Sequence, residues 1–223
     1  MKLDGRPQGL GADATPPAPA AAMTSVVGVL ALLALATVLG ALGYLHLEPT
    51  GLSPVRNAVS QYGITTFRAG YRVATIAFAV AAIALAVGVD RATGKAGTDA
   101  VVVLLILFAV ARGAISWFPM DAPGAVRTST GQMHGLLALV AFASAATAAL
   151  RLGTVLSHGA RWRSLAPVSS ALGWAMVACL LGILLARSFP SLRARFGAIE
   201  RGFYISAIAW FAVFASACAA NTH

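Results

Sequence analysis

Asp121, His134, Glu200 and a scattered set of arginines carry the reactive chemistry of a 223-residue chain that is only 10% charged. Asp121 stands between Pro119 and Pro123. A carboxylate there either closes a tight turn through its own backbone or points into an opening as a general acid, a general base or an ion-pair partner. His134 follows in Thr130-Gly-Gln-Met-His134-Gly. Held by Asp121, it would titrate near neutral pH; otherwise it is an amphipathic anchor at an interface. Glu200 precedes Tyr204 by one helical turn, where a helix N-terminus already favours a carboxylate. Ser60 lacks a G-x-S-x-G context and reads as a cap on a short turn before Gly63.

Arg112 is unusual for its place, inside an apolar run and a few residues before Trp117. At mid-helix depth in a bilayer a charge costs roughly 2.5–3.5 kcal/mol on insertion scales. Its long stem allows snorkelling to the interface. The alternative has it facing inward, paired with Asp121, Glu200 or a bound anion, with Ser116 on the same face.

The elements that must hold these residues follow from composition. Hydrophobic residues make up 59% of the chain, and mean hydropathy is +0.81. Six apolar runs cover 24–45, 71–89, 100–118, 132–150, 167–187 and 203–219, each near the roughly 20 residues that span a bilayer as a helix. The fold class is therefore all-α, an integral membrane bundle of six transmembrane helices over 23–220. A Pro- and Ala-rich disordered tail, 1–22, is expected before it and a short tail, 221–223, after it. Small residues such as Ala36, Gly40, Gly43, Ser144 and Ala148 allow close helix packing. This composition excludes a soluble enzyme, a disulfide scaffold and a nucleic-acid-binding domain, and the net charge of +9 is spread over short loops.

Six crossings put both termini on one side. Lys and Arg outside the spans divide evenly between the sides, so they set no orientation. With Arg72 and Arg112 counted, the far side carries the larger net positive charge. Cys179 and Cys218 fall at different depths in separate runs and are expected as free thiols. His46, His134, His158 and His223 are not at ligand spacing, so no metal and no cofactor are expected. Trp117, Tyr62, Tyr71 and Trp162 fit an interfacial aromatic belt, and Arg161-Trp162-Arg163 reads as a headgroup anchor. No carboxylate falls at mid-bilayer depth, which argues against a proton relay or an ion channel.

Two far-side loops carry a resemblance. Phe118-Pro-Met-Asp121-Ala-Pro-Gly124 with Thr130-Gly-Gln-Met-His134-Gly, and Pro54-Val-Arg56-Asn-Ala-Val-Ser60-Gln61-Tyr62-Gly63, are together similar to motifs of a prokaryotic multi-pass membrane family, domain of unknown function 998. Gln61 stands where that family usually has an acid. The Ser-x-x-Gly loop also resembles that of the eukaryotic DRAM-type six-helix proteins. The resemblance spans the six-helix region and implies its fold and cytoplasmic termini in the cell membrane; it implies no reaction.

Three functions fit these residues. The first is binding of an amphipathic anion, a membrane lipid or isoprenoid, at a far-side mouth. Arg56, Ser60, Tyr62, Arg112, Arg127, Glu200 and Arg201 would hold it, since Arg forks suit phosphate. The second is acid–base chemistry on an apolar substrate, such as isoprenoid cyclisation, with Asp121 as acid and His134 beside it. The third is a structural or accessory subunit whose small-residue faces pack on a membrane-protein partner or a second copy.

Overall fold

Helix is the only regular structure among the described residues, which are 18–94, 97–159 and 162–220 of the computed structural model, with side chains from residue 22 on. The expected tail up to residue 17, Lys95, Arg161 and residues 221–223 lie outside them. Among the described residues, six helices are long and apolar enough to cross a membrane. They are α1 (Ala18–Leu47), α2 (Arg68–Thr93), α3 (Asp99–Ala114, prolonged by a 3-10 turn to Trp117), α4 (Ser129–His158), α5 (Ala166–Leu185) and, after a one-turn α6 (Pro190–Arg193), α7 (Phe196–Ala219). This is a multi-pass membrane protein.

Most helices overrun their apolar stretches, and among the described residues α4 alone has a side-chain cap. α4 starts early because the Thr128 side chain accepts the Gly131 N–H, the usual Ser/Thr/Asp cap. α7 starts at Phe196 rather than Phe203, so Glu200 falls in its second turn and not at its entrance. α1 begins at Ala18, inside the stretch read from sequence as tail.

The helices form a ring in which each packs on its sequence neighbours, and α7 closes it against α1, α5 and α2. Close approaches need small residues. A Cβ on Gly28 would lie 2.8 Å from the Ala215 carbonyl oxygen, so α1 and α7 meet backbone to backbone. A Cβ on Gly173 would meet the Leu150 side chain at 2.8 Å, and this fixes α4 against α5 at the end near the chain termini.

Aromatic rings fill the centre. Phe78 lies 4.9 Å from Phe108 and 5.1 Å from Phe211, and Phe142 stacks on Phe203 at 4.2 Å. One buried polar chain crosses three helices: the Trp210 indole N–H donates to Ser169 Oγ at 2.8 Å, which donates to the Ala149 carbonyl at 2.7 Å. Tyr62 and Tyr71 belong to this core, at 1% and 3% exposure, rather than to the interfacial belt expected for them; Trp117 is exposed. Tyr is amphipathic enough for either place, and here its ring packs inward. Neither cysteine forms a disulfide.

Candidate functional site

At the end of the bundle opposite the termini, the loops are tied down by a small number of side chains. Loop 1 (48–67) is fastened to α7. Arg201 donates through Nη1 to the carbonyls of Pro54 (2.7 Å), Asn57 (2.9 Å) and Gly197 (3.1 Å), and through Nε to His46 Nε2 (2.8 Å). The His46 ring accepts at Nε2, so its proton sits on Nδ1 and is donated to the Leu42 carbonyl at 2.6 Å. The Ala198 N–H donates to the Val55 carbonyl at 2.9 Å. Gly197 is required here, because a Cβ would lie 2.6 Å from the Pro54 oxygen. Beneath the loop, Glu200 Oε2 accepts the Val59 N–H at 2.7 Å and starts the 3-10 turn Val59–Ile64.

Loop 2 (118–128) has a nested closure that accounts for its motif. Asp121 takes the Thr128 hydroxyl at 2.7 Å on one oxygen and the Thr128 N–H at 3.2 Å on the other. Thr128 in turn accepts the Gly131 N–H at 3.0 Å and so caps α4. A Cβ on Gly131 would collide with the Asp121 carboxylate, so a larger residue would push that carboxylate out of the cap. The hydrogen bonds from Thr128, with Arg127 nearby, hold the Asp121 carboxyl below its usual range. The outer bond joins His134 Nδ1 to the Phe118 carbonyl at 2.7 Å. His134 is thus held by a backbone carbonyl and Asp121 by the cap.

Between these loops, the first half of α4, the last half of α5 and the start of α7 lies a cavity of about 480 Å³, within the size range of small-molecule sites. Arg56, Arg127, Arg187 and Arg193 stand at its exposed rim. Leu139, Phe142, Leu180, Ile183 and Leu184 form an apolar wall, and Ser60, Gln61, His134 and Glu200 contribute polar atoms. Because α4 and α5 touch closely at the other end of the bundle, the wall reads as the wide part of a wedge between them.

Of the residues singled out in the sequence, Arg56, Ser60, Asp121, Arg127, His134 and Glu200 line this cavity. Tyr62 and Arg201 stand behind it in the loop clamp, with Arg201 Nη2 3.5 Å from the Tyr62 hydroxyl. Arg112 is also off the lining. It is 2% exposed and does not snorkel; its guanidinium lies 5.3 Å from the Tyr204 ring centre and 5.9 Å from that of Phe78. Rings facing a cation offset part of its desolvation, yet among the described residues Arg112 Nε and the nearby Tyr71 hydroxyl have no hydrogen-bond partner. Ser116 Oγ, one turn on, is likewise buried without one. Arg187, Arg193, Gln61 and Phe196 also line the cavity, though they were not among the site residues expected from sequence. Arg193 reaches the mouth because α6 turns back, its Nη2 donating to the Arg187 carbonyl at 2.7 Å.

The family profile described as protein of unknown function, DUF998, matches residues 26–217. The chain belongs to the DUF998 family. The match takes in all six spanning helices and both loops that shape the cavity. No curated protein and no solved structure matches the chain.

Proposed function

We propose that this DUF998 protein binds an amphipathic anion, a membrane lipid or polyprenyl phosphate, in the cavity at the end opposite its termini. In this reading it sits in the cell membrane with its termini in the cytoplasm. One observation carries it: a single cavity joins four rim arginines to an apolar wall. A phosphate suits guanidinium forks, which match its geometry and cannot lose their charge. An acyl or prenyl chain suits the wall of Leu139, Phe142, Leu180, Ile183 and Leu184. Among the described residues, the side chains of Arg56, Arg127 and Arg187 make no hydrogen bond, so these guanidiniums are free for a ligand.

A second reading, acid–base chemistry on the bound molecule, draws support from His134 and Glu200 lining the same cavity. Asp121, engaged at both oxygens by Thr128, would serve it only after leaving the cap.

Native mass spectrometry with lipid extraction tests the binding reading. Wild-type protein purified from membranes is expected to carry an anionic lipid that the Arg56→Gln/Arg187→Gln variant lacks. Equal lipid complements in the two proteins would overturn it.

A further inference from the structure

The rim and the interior of the cavity have opposite hydrogen-bonding sense. At the exposed rim, guanidiniums can only donate. Deeper in, the two most buried polar groups on the lining, Glu200 and His134 at 5% and 6% exposure, present acceptors. Glu200 uses Oε2 for the Val59 N–H, and its Oε1 takes no hydrogen bond from any described residue. His134 gives its Nδ1 proton to the Phe118 carbonyl, so the neutral ring offers Nε2 as an acceptor. Ser60 does not supply these acceptors with a donor, because its hydroxyl is turned to Met120 Sδ at 3.2 Å.

A bare phosphate on a chain satisfies the rim and brings no donor to the two inner acceptors on the lining. The missing partner is a donor carried by the ligand beyond its phosphate. Four guanidiniums against the carboxylates of Asp121 and Glu200 keep the lining basic, which disfavours an ammonium and favours a hydroxyl. We therefore propose that the ligand is a hydroxyl-bearing phosphodiester, a lipid with a polyol headgroup, whose phosphate meets the rim arginines and whose hydroxyls donate to Glu200 and His134. The proposal rests on the anionic-amphiphile reading above and adds the headgroup to it.

Two lipids of equal charge and identical chains isolate the hydroxyls: phosphatidylglycerol, and phosphatidylmethanol, which has none. Binding of each to the full-length protein in detergent is titrated beside neutral phosphatidylcholine. Phosphatidylglycerol is expected to bind about five-fold more tightly than phosphatidylmethanol, the net effect of roughly one ordinary hydrogen bond. In Glu200→Gln the amide carbonyl retains the Val59 bond while an NH₂ replaces the inner acceptor. That variant is expected to lose the preference and keep its affinity for phosphatidylmethanol. Equal binding of the two anionic lipids to wild type, both above phosphatidylcholine, would overturn the headgroup and leave the anion reading standing. Tighter binding of phosphatidylethanolamine than of phosphatidylglycerol would overturn it in favour of an ammonium. If neither anionic lipid exceeds phosphatidylcholine, the anion reading itself fails. The wild-type comparison decides among these even if the variant does not fold.

Discussion

Glu200 accepts the backbone N–H of Val59 at 2.7 Å, joining the last membrane helix to the first far-side loop across 141 residues of sequence. Val59 is 1% exposed, so its N–H depends on that carboxylate for a partner. Together with the Arg201 clamp, this bond holds Ser60 and Gln61 along one side of the cavity.

Removing the carboxylate is therefore expected to destabilise the protein. Glu200→Ala leaves a buried donor unpaired, at a cost of about 1–3 kcal/mol, whereas Glu200→Gln keeps the bond and should lose less. Thermal unfolding in detergent checks the order. Equal melting temperatures for Ala, Gln and wild type would show that the bond contributes nothing.

The cap on α4 has a pH signature. Asp121 is held below its ordinary value of 3.8 by Thr128. A depressed carboxyl stabilises the fold fully above that ordinary value and loses the contribution as pH falls through its lower native value. Asp121→Asn should flatten this acid limb of the stability profile and lower stability at pH 7, where the wild-type carboxylate contributes in full. Thr128→Ala should cost about 1 kcal/mol, the typical effect of a lost N-cap. Unfolding followed between pH 2 and 7 reads both, and an unchanged acid limb in Asp121→Asn would refute the assignment.

Ser169 links three helices through Trp210 and Ala149, all without solvent access. Ser169→Ala orphans the indole N–H and should destabilise by about 1–3 kcal/mol. Ser169→Thr retains the hydroxyl and should recover part of that loss. Thermal unfolding of the two variants checks this, and a melting temperature for Ser169→Ala equal to wild type would contradict it.

The rim arginines and Arg112 should behave differently. Arg112 lies behind the lining, over the Tyr204 and Phe78 rings. Replacing a buried charge with an apolar side chain of similar volume is often neutral or stabilising. Arg112→Met is expected to hold its melting temperature and its bound lipid, while Arg56→Gln or Arg187→Gln should weaken lipid binding, and the weakening should shrink at high salt. Loss of lipid from Arg112→Met alone would move the ligand away from the rim.

Much of this arrangement was legible before the structure. Apolar run length identified all six spans, because a chain in hydrocarbon must satisfy its backbone within each helix. The loop motifs pointed to Arg56, Ser60, Asp121, Arg127 and His134, which do line one cavity. The partners were not legible. Asp121 and His134 look like a pair in sequence, yet each closes its own loop bond, to Thr128 and to Phe118. The spacing of Asp121, Thr128 and Gly131 was the available signal, a turn feeding an S/T cap. Arg193 reached the mouth only because α6 turns back onto Arg187, just past the end of α5, and no periodicity encodes that turn. Tyr71 gave no sign from its type that its hydroxyl would be buried near Arg112 rather than at the interface.

The central claim is that an anionic amphiphile occupies the wedge between α4 and α5, and a photo-crosslinking anionic lipid with its reactive group in the acyl chain tests it most directly. The account expects adducts on Leu139, Leu180 and Leu184, suppressed by Ala138→Trp, which fills the lining. Exposed lipid-facing residues such as Leu33 and Leu39 on α1 are the control and should label weakly. Labelling of α1 equal to that of the cavity wall, and unaffected by Ala138→Trp, would contradict the site.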